Sequence, residues 1–182
     1  MAKIITVGAA IQDVFLSQSD ALTPVCESPE HCFARLDLGA KADVNQIHFS
    51  TGGGATNAAV TFSRQGHYAS FMGAIGHDPA GQAVIADLDK ENIDTHLVRY
   101  SPKYSTGYSV LLLASNGERT ILTYRGASTH YHEADFDLSE EDADWLYVST
   151  LAGNMSMLHK LFQQAKRRDM KICFNPGAGA KG

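Results

Sequence analysis

Hydrophobic and polar positions along this chain follow two rhythms. Short apolar runs that stop at glycine or a polar residue read as strands: Lys3 to Val7 ending at Gly8, Val14-Phe15-Leu16, Tyr68 to Met72 ending at Gly73, Trp145 to Val148, and Lys171 to Phe174. A 3.6-residue period places Ala55, Ala58, Ala59 and Phe62 on one face, then Ala80, Val84 and Leu88, then Leu158, Leu161, Phe162 and Ala165. These predict helices from about Gly54 to Gln65, from Asp78-Pro79 onward, and from about Asn154 to Arg168. Gly66 supplies a left-handed stop to the first, and Asp78 with Pro79 forms an N-cap and first helical position for the second.

Two hairpins interrupt this alternation. Phe33 to Leu38 and Val44 to Phe49 flank Gly39-Ala40-Lys41, and Ser105 to Ser115 and Glu118 to Arg125 flank Asn116-Gly117, read as a two-residue turn. Ser19 to His31, with Pro24 and Pro29, reads as loop, and the acidic run Asp135 to Asp144 as a solvated helix start. Trp145 and Tyr147 read as core. Strands alternating with helices imply an α/β fold, a mainly parallel sheet flanked by helices, with the hairpins forming a small separate antiparallel sheet. Such sheets bind ligands past the carboxyl ends of their strands. Asp13, Gly52-Gly53-Gly54, Gly76-His77-Asp78 and Asn175 all fall just past a strand end.

Size allows one domain with a proper core in 182 residues. A net charge of −5 and no basic run argue against nucleic acid, and no apolar stretch reaches the ~20 residues of a membrane span. The apolar N-terminus is too short for a signal peptide. Three cysteines, Cys26, Cys32 and Cys173, are sparse and odd in number, which points to reduced thiols and a cytoplasmic setting. Cys26, His31 and Cys32, and the pair His130 and His132, have metal-ligand residue types, but the first set lacks a fourth partner and the second alternates like a strand edge. Neither is read as a metal site.

The richest segment is Ser50-Thr51-Gly52-Gly53-Gly54-Ala55-Thr56-Asn57. The chain leaves a strand, bends where no Cβ obstructs it, and enters a helix whose first N–H groups can hold a polar ligand. Asn57 adds an amide that donates and accepts, which suits a hydroxyl-rich molecule. A plain strand-to-helix turn is the competing reading. The third glycine of a dinucleotide fingerprint and the lysine of a P-loop are both missing. Asp78 reads as an N-cap rather than a catalytic acid, and Asp13 taken by itself reads as a turn residue, with a ligand contact as the competing reading.

Together these segments resemble the ribokinase-like (PfkB) family of carbohydrate kinases. Gly52 to Ala59 resembles the family's first signature, and Val7 to Asp13 its opening strand and substrate-binding aspartate. Gly73-Ala74-Ile75-Gly76-His77-Asp78-Pro79-Ala80-Gly81 resembles its G-x-x-G-x-D-x-x-G segment, Asn116 to Thr120 its lid hairpin, and Asn175-Pro176 its asparagine-proline after a central strand. The resemblance implies that Asp13 and Asn57 hydrogen-bond substrate hydroxyls, and that Gly52 and Gly53 let backbone approach and act as a hinge for lid closure. Tyr124-Arg125-Gly126-Ala127-Ser128 resembles a stretch that touches acidic sugars in ketodeoxygluconate-type members, which implies Arg125 as a contact.

It further implies that residues 1–182 are the N-terminal substrate-binding part of such a domain, with lid segments about 13–50 and 104–126. A homodimer through the lid follows from the same resemblance. The second family signature, with the catalytic aspartate, is expected beyond residue 182. Gly177-Ala178-Gly179-Ala180 is similar to it, but Lys181 stands where an aspartate would follow. The parent enzyme would use ATP and Mg²⁺ to phosphorylate a sugar, whereas this chain alone would bind neither well and be inactive. A nucleoside kinase of the adenosine type and a non-catalytic sugar-binding module remain the alternatives.

Overall fold

The computed structural model describes residues 1–28 and 30–177; the reading placed on Ala178 to Lys181 lies outside the described residues. The chain runs β1 (Lys3–Val7), β2 (Ile11–Ser17), β3 (Val25–Ser28), β4 (His31–Phe33), β5 (Gln46–Gly52), α1 (Gly54–Arg64), β6 (Tyr68–Gly76), α2 (Pro79–Lys90), β7 (Val98–Ser101), β8 (Gly107–Leu113), β9 (Arg119–Tyr124), β10 (Trp145–Ser149), α3 (Met155–Arg167) and β11 (Lys171–Asn175). Two compact units result. One comprises Met1–Gln12, Thr51–Gly107 and Arg125–Gly182, and the other Asp13–Ser50 and Tyr108–Tyr124.

In the first unit a five-stranded sheet has the order β11-β10-β1-β6-β7, with every neighbouring pair parallel. Alternation along β6 divides the core. Met72 and Ala74 join Ile5, Val7, Leu146 and Val148 against Leu158, Leu161 and Ala165 of α3. Ala69, Phe71 and Ile75 join Ala55 and Ala59 of α1 and Val84 and Leu88 of α2. Helices therefore cover both faces, which is what a parallel sheet of largely apolar strands requires. No helix among the described residues is long and apolar enough to cross a membrane.

Strand β6 runs on past Gly73 to Gly76. A Cβ at Gly73 would lie 2.6 Å from the Gly8 carbonyl oxygen, so this glycine allows close packing and does not end the strand. The acidic run is no helix start. A 3-10 turn occupies Glu133–Asp135, and Phe136 and Leu138 plunge into the core while Asp137, Glu140, Asp142 and Asp144 are exposed. Trp145 is 37% exposed under Lys171, and Tyr147 is half-buried against Phe62. The segment His130 to His132 is not a strand edge: Tyr131 is buried and His130 stacks on Tyr104.

In the second unit β5, β2, β8 and β9 form a four-stranded sheet in that order, with β8 and β9 antiparallel. The hairpin expected around Gly39 does not form. β5 joins the edge of β2, and the segment from 34 to 45 has no regular structure. Within the expected loop, β3 and β4 make their own two-stranded sheet. At Asn116-Gly117 the turn holds three residues, because Gly117 N–H donates to Ala114 O and only Gly117 has positive φ, at 88°.

Cys26 and Cys32 face each other across β3 and β4 and are disulfide-bonded; the expectation of reduced thiols fits Cys173 alone. Pairing register, invisible to cysteine counting, brings the two sulfurs together.

Candidate functional site

Gly52-Gly53-Gly54 joins the end of β5 to α1. Gly53 has φ 114°, a region that costs any side chain, and caps the helix with no side-chain bond. A Cβ there would overlap the Ala9 carbonyl oxygen and sit 2.8 Å from the Ala9 carbonyl carbon. The bend is thus pressed against the chain that leaves β1. Gly8 is held the same way: a Cβ would overlap Ser149 Oγ and come within 3.2 Å of the Ala55 Cβ. Backbone from β1, β10 and the start of α1 converges at the carboxyl end of the sheet.

The Thr56 hydroxyl points back to the Gly52 and Gly53 carbonyls at 2.7 and 3.0 Å, which fixes the first turn. Asn57 is exposed one position on. Its main-chain groups serve the helix, bonding Gly53 O and Thr61 Oγ1, while its carboxamide has no partner among the described residues. An uncapped helix start beside a free carboxamide offers several N–H donors and one carbonyl acceptor within one turn.

Asp78 caps α2, accepting from Gly81 N at 2.8 Å, and also holds Thr106 through N–H and hydroxyl, each at 2.7 Å. Burial pushes its carboxyl up, but these bonds outweigh it and leave the pKa below the ordinary carboxylate value. With its lone pairs committed to the fold, Asp78 is a structural cap. Thr106 was not legible as its partner, since 28 residues separate them.

Arg125 is exposed at the entry to a 3-10 turn, Gly126–Thr129, that buries Gly126, Ala127 and Ser128. Its carbonyl accepts from Ser128 N and Oγ, and it also lies 3.1 Å from where a Gly107 Cβ would stand. Asn175 closes β11, with its amide 3.4 Å from Tyr147 Oη. Among the described residues no group of three or more His, Cys, Asp or Glu side chains is arranged for a metal ion.

In the second unit Asp13 lies on β2, half-buried. Burial raises its carboxyl pKa, and a hydrogen bond from Ser109 on the neighbouring strand β8 opposes that rise.

The sequence profile of the "pfkB family carbohydrate kinase" matches residues 3–179. The chain belongs to the PfkB family. It is 30% identical over 135 residues to a fructokinase of Klebsiella pneumoniae, covering 69% of this chain and 42% of that protein. A ribokinase from Cryptococcus neoformans, solved in complex with ADP, superposes with a TM-score of 0.71 at 20% identity, over 98% of this chain and 52% of that one. A nucleoside kinase of Methanocaldococcus jannaschii superposes with a TM-score of 0.70 at 18% identity, over 98% and 53%. The chain spans less than half the length of the curated relatives it matches.

Proposed function

We propose that this PfkB chain is the sugar-binding part of a cytoplasmic kinase that transfers the ATP γ-phosphate to a sugar hydroxyl. The observation that carries the reading is the bend at Gly53, locked against the Ala9 carbonyl and followed within one turn by the unpartnered Asn57 carboxamide. Asn57 and the free N–H groups of α1 would bind substrate hydroxyls, with Gly52 and Gly53 admitting the ligand to the backbone. Asp13 is the second hydroxyl acceptor: its partly desolvated carboxylate gains by replacing lost water with a hydroxyl donor. Arg125 would meet the ligand's far end.

The second unit is read as the lid, and exposed Ile47, Phe49, Ile121, Leu122 and Tyr124 on its strands suit a homodimer contact. Lid closure would keep water from competing as phosphoryl acceptor. We assign ATP, Mg²⁺ and the catalytic base to the portion of the relatives that this chain does not span. On that assignment this chain binds sugar and transfers no phosphate.

Titration calorimetry with fructose, ribose, ketodeoxygluconate and adenosine tests the reading. Saturable binding of one sugar without ATP turnover is the expected result. Binding of adenosine alone would favour a nucleoside kinase, whose solved relative shares this fold. No binding of any of them would overturn the assignment.

A further inference from the structure

The disulfide in the second unit uses residues to which the substrate reading gives no role. We propose that Cys26 and Cys32 form a reversible thiol–disulfide exchange site, which clamps the β3–β4 hairpin when oxidised and releases it to a dithiol reductant. Three observations carry this.

Cys26 and Cys32 are direct register partners with Cα atoms 4.0 Å apart. Antiparallel residues that do not exchange main-chain hydrogen bonds lie about 4.5 Å apart, so the strand pairing itself holds the sulfurs side by side. Re-formation of the bond needs no rearrangement beyond closing the hairpin. Both cysteines are also exposed, open to an attacking thiolate.

The hairpin has little else to close it. β3 and β4 are a two-stranded sheet on their own, every β3 residue is exposed, and only Phe33 of β4 is partly buried. Such an isolated pair is marginal in water, which leaves the covalent link as its main closure.

The hairpin is also a wall. Cys32 and Phe33, with Pro24 and Leu36, face Leu112 and Leu122 of the β8–β9 pair across a groove of about 760 Å³. Opening the disulfide therefore alters the shape of a cavity within the same unit.

The chemistry balances with a dithiol as co-reactant. One reagent thiolate attacks one sulfur, the Cys26–Cys32 bond breaks, and the displaced sulfur leaves as a thiolate that takes a proton. The reagent's second thiol then resolves the mixed disulfide, so the protein gains two electrons and two protons and the reagent leaves as its own disulfide. Cys32 Sγ lies 3.8 Å from the Ser28 carbonyl oxygen, which can accept the new thiol hydrogen. Outside oxidising compartments, disulfides of this kind are characteristically redox-sensing.

The test combines alkylation with limited proteolysis, and Cys173, free and exposed, serves as internal control. After equilibration with oxidised glutathione, Cys26 and Cys32 should carry neither iodoacetamide label nor glutathione, whereas Cys173 takes up one of the two; after dithiothreitol, iodoacetamide should label all three cysteines. Tryptic cleavage after Arg35 and Lys41 should accelerate about tenfold on reduction and return to its slow rate on reoxidation. The Cys26→Ser/Cys32→Ser double variant should cleave at the fast rate under both conditions. Iodoacetamide label or glutathione on Cys26 or Cys32 after oxidised glutathione, a cleavage rate indifferent to reductant, or a variant still responsive to redox state would each overturn the proposal. The first two need only the unaltered chain, so they decide even if the variant fails to fold.

Discussion

Asp78 and Thr106 are tied by two hydrogen bonds of 2.7 Å, one from the Thr106 N–H and one from its hydroxyl, and the Thr106 hydroxyl oxygen accepts in turn from Gly76 N at 2.8 Å. One carboxylate thus joins the end of β6, the start of α2 and the approach to β8. Asp78→Ala should destabilise the first unit by about 1–3 kcal/mol, because a cap and two charge-assisted bonds vanish together. Urea unfolding at neutral pH measures this. The folded pKa lies below that of the unfolded chain. The contribution is therefore full above the unfolded value and lost as pH falls through the folded one, so the variant and the unaltered protein should converge in acid.

Two glycines with positive φ should respond very differently to alanine. Gly66, at φ 83°, has nothing within 4 Å of an added Cβ, so only backbone strain opposes the change, about 1 kcal/mol. Gly53→Ala carries that strain and a collision with the Ala9 main chain, and should cost several kcal/mol, on the order of 3 or more. Equal thermal shifts in the two variants would refute the close approach at the bend.

Asn57→Ala should weaken sugar binding by roughly 1–3 kcal/mol with no loss of stability, since its exposed carboxamide bonds nothing among the described residues. Asp13→Asn should weaken binding comparably. Calorimetry paired with thermal unfolding reads both effects, and unchanged affinity would remove the residue from the site.

His96 faces Asp94 through Nδ1 at 2.7 Å and Glu141 through Nε2 at 3.3 Å. A neutral imidazole can donate from only one nitrogen, so this clamp requires the cation. The bond to Asp94 raises the His96 pKa, with burial opposing and Glu141 assisting. A raised folded pKa means stabilisation that is complete below the unfolded value near 6.5 and lost as pH rises through the folded one. The melting temperatures of the unaltered protein and His96→Ala should differ most near pH 6 and draw together by pH 9.

Tyr131 is buried in the main core edge-on to Phe136, and its hydroxyl has no hydrogen-bond partner among the described residues. Burial raises its pKa, so the ring remains neutral. Removing a polar atom that gave up water and gained nothing should be neutral or stabilising, by up to about 1 kcal/mol for Tyr131→Phe. A clear loss of stability in chemical denaturation would contradict the unpaired hydroxyl.

Much of the first unit was legible in the sequence, because its signals are local. The glycine after β1, the apolar stripes of α1, α2 and α3, and the Asp78-Pro79 start each depend on residues within a turn or two. Strand β7 carried no comparable signal: with four residues and one fully buried side chain, Val98, it shows too little alternation to read. The region from 19 to 49 was misread for a different reason. Several short runs there could pair in more than one way, and glycine at 39 made the wrong pairing look local. In the acidic run, charge hid two core residues, since Phe136 and Leu138 have no periodic neighbours to mark a buried face.

The sequence by itself determined the α/β alternation, the helix starts and the bend at Gly52-Gly53-Gly54, because φ preference, capping and side-chain period act over a few residues. Only the tertiary structure decided that β5 lies beside β2, that Cys26 meets Cys32, and that the Asp78 carboxylate belongs to Thr106. Those pairings join segments whose closeness is set by packing and strand register, which no short window of residues contains.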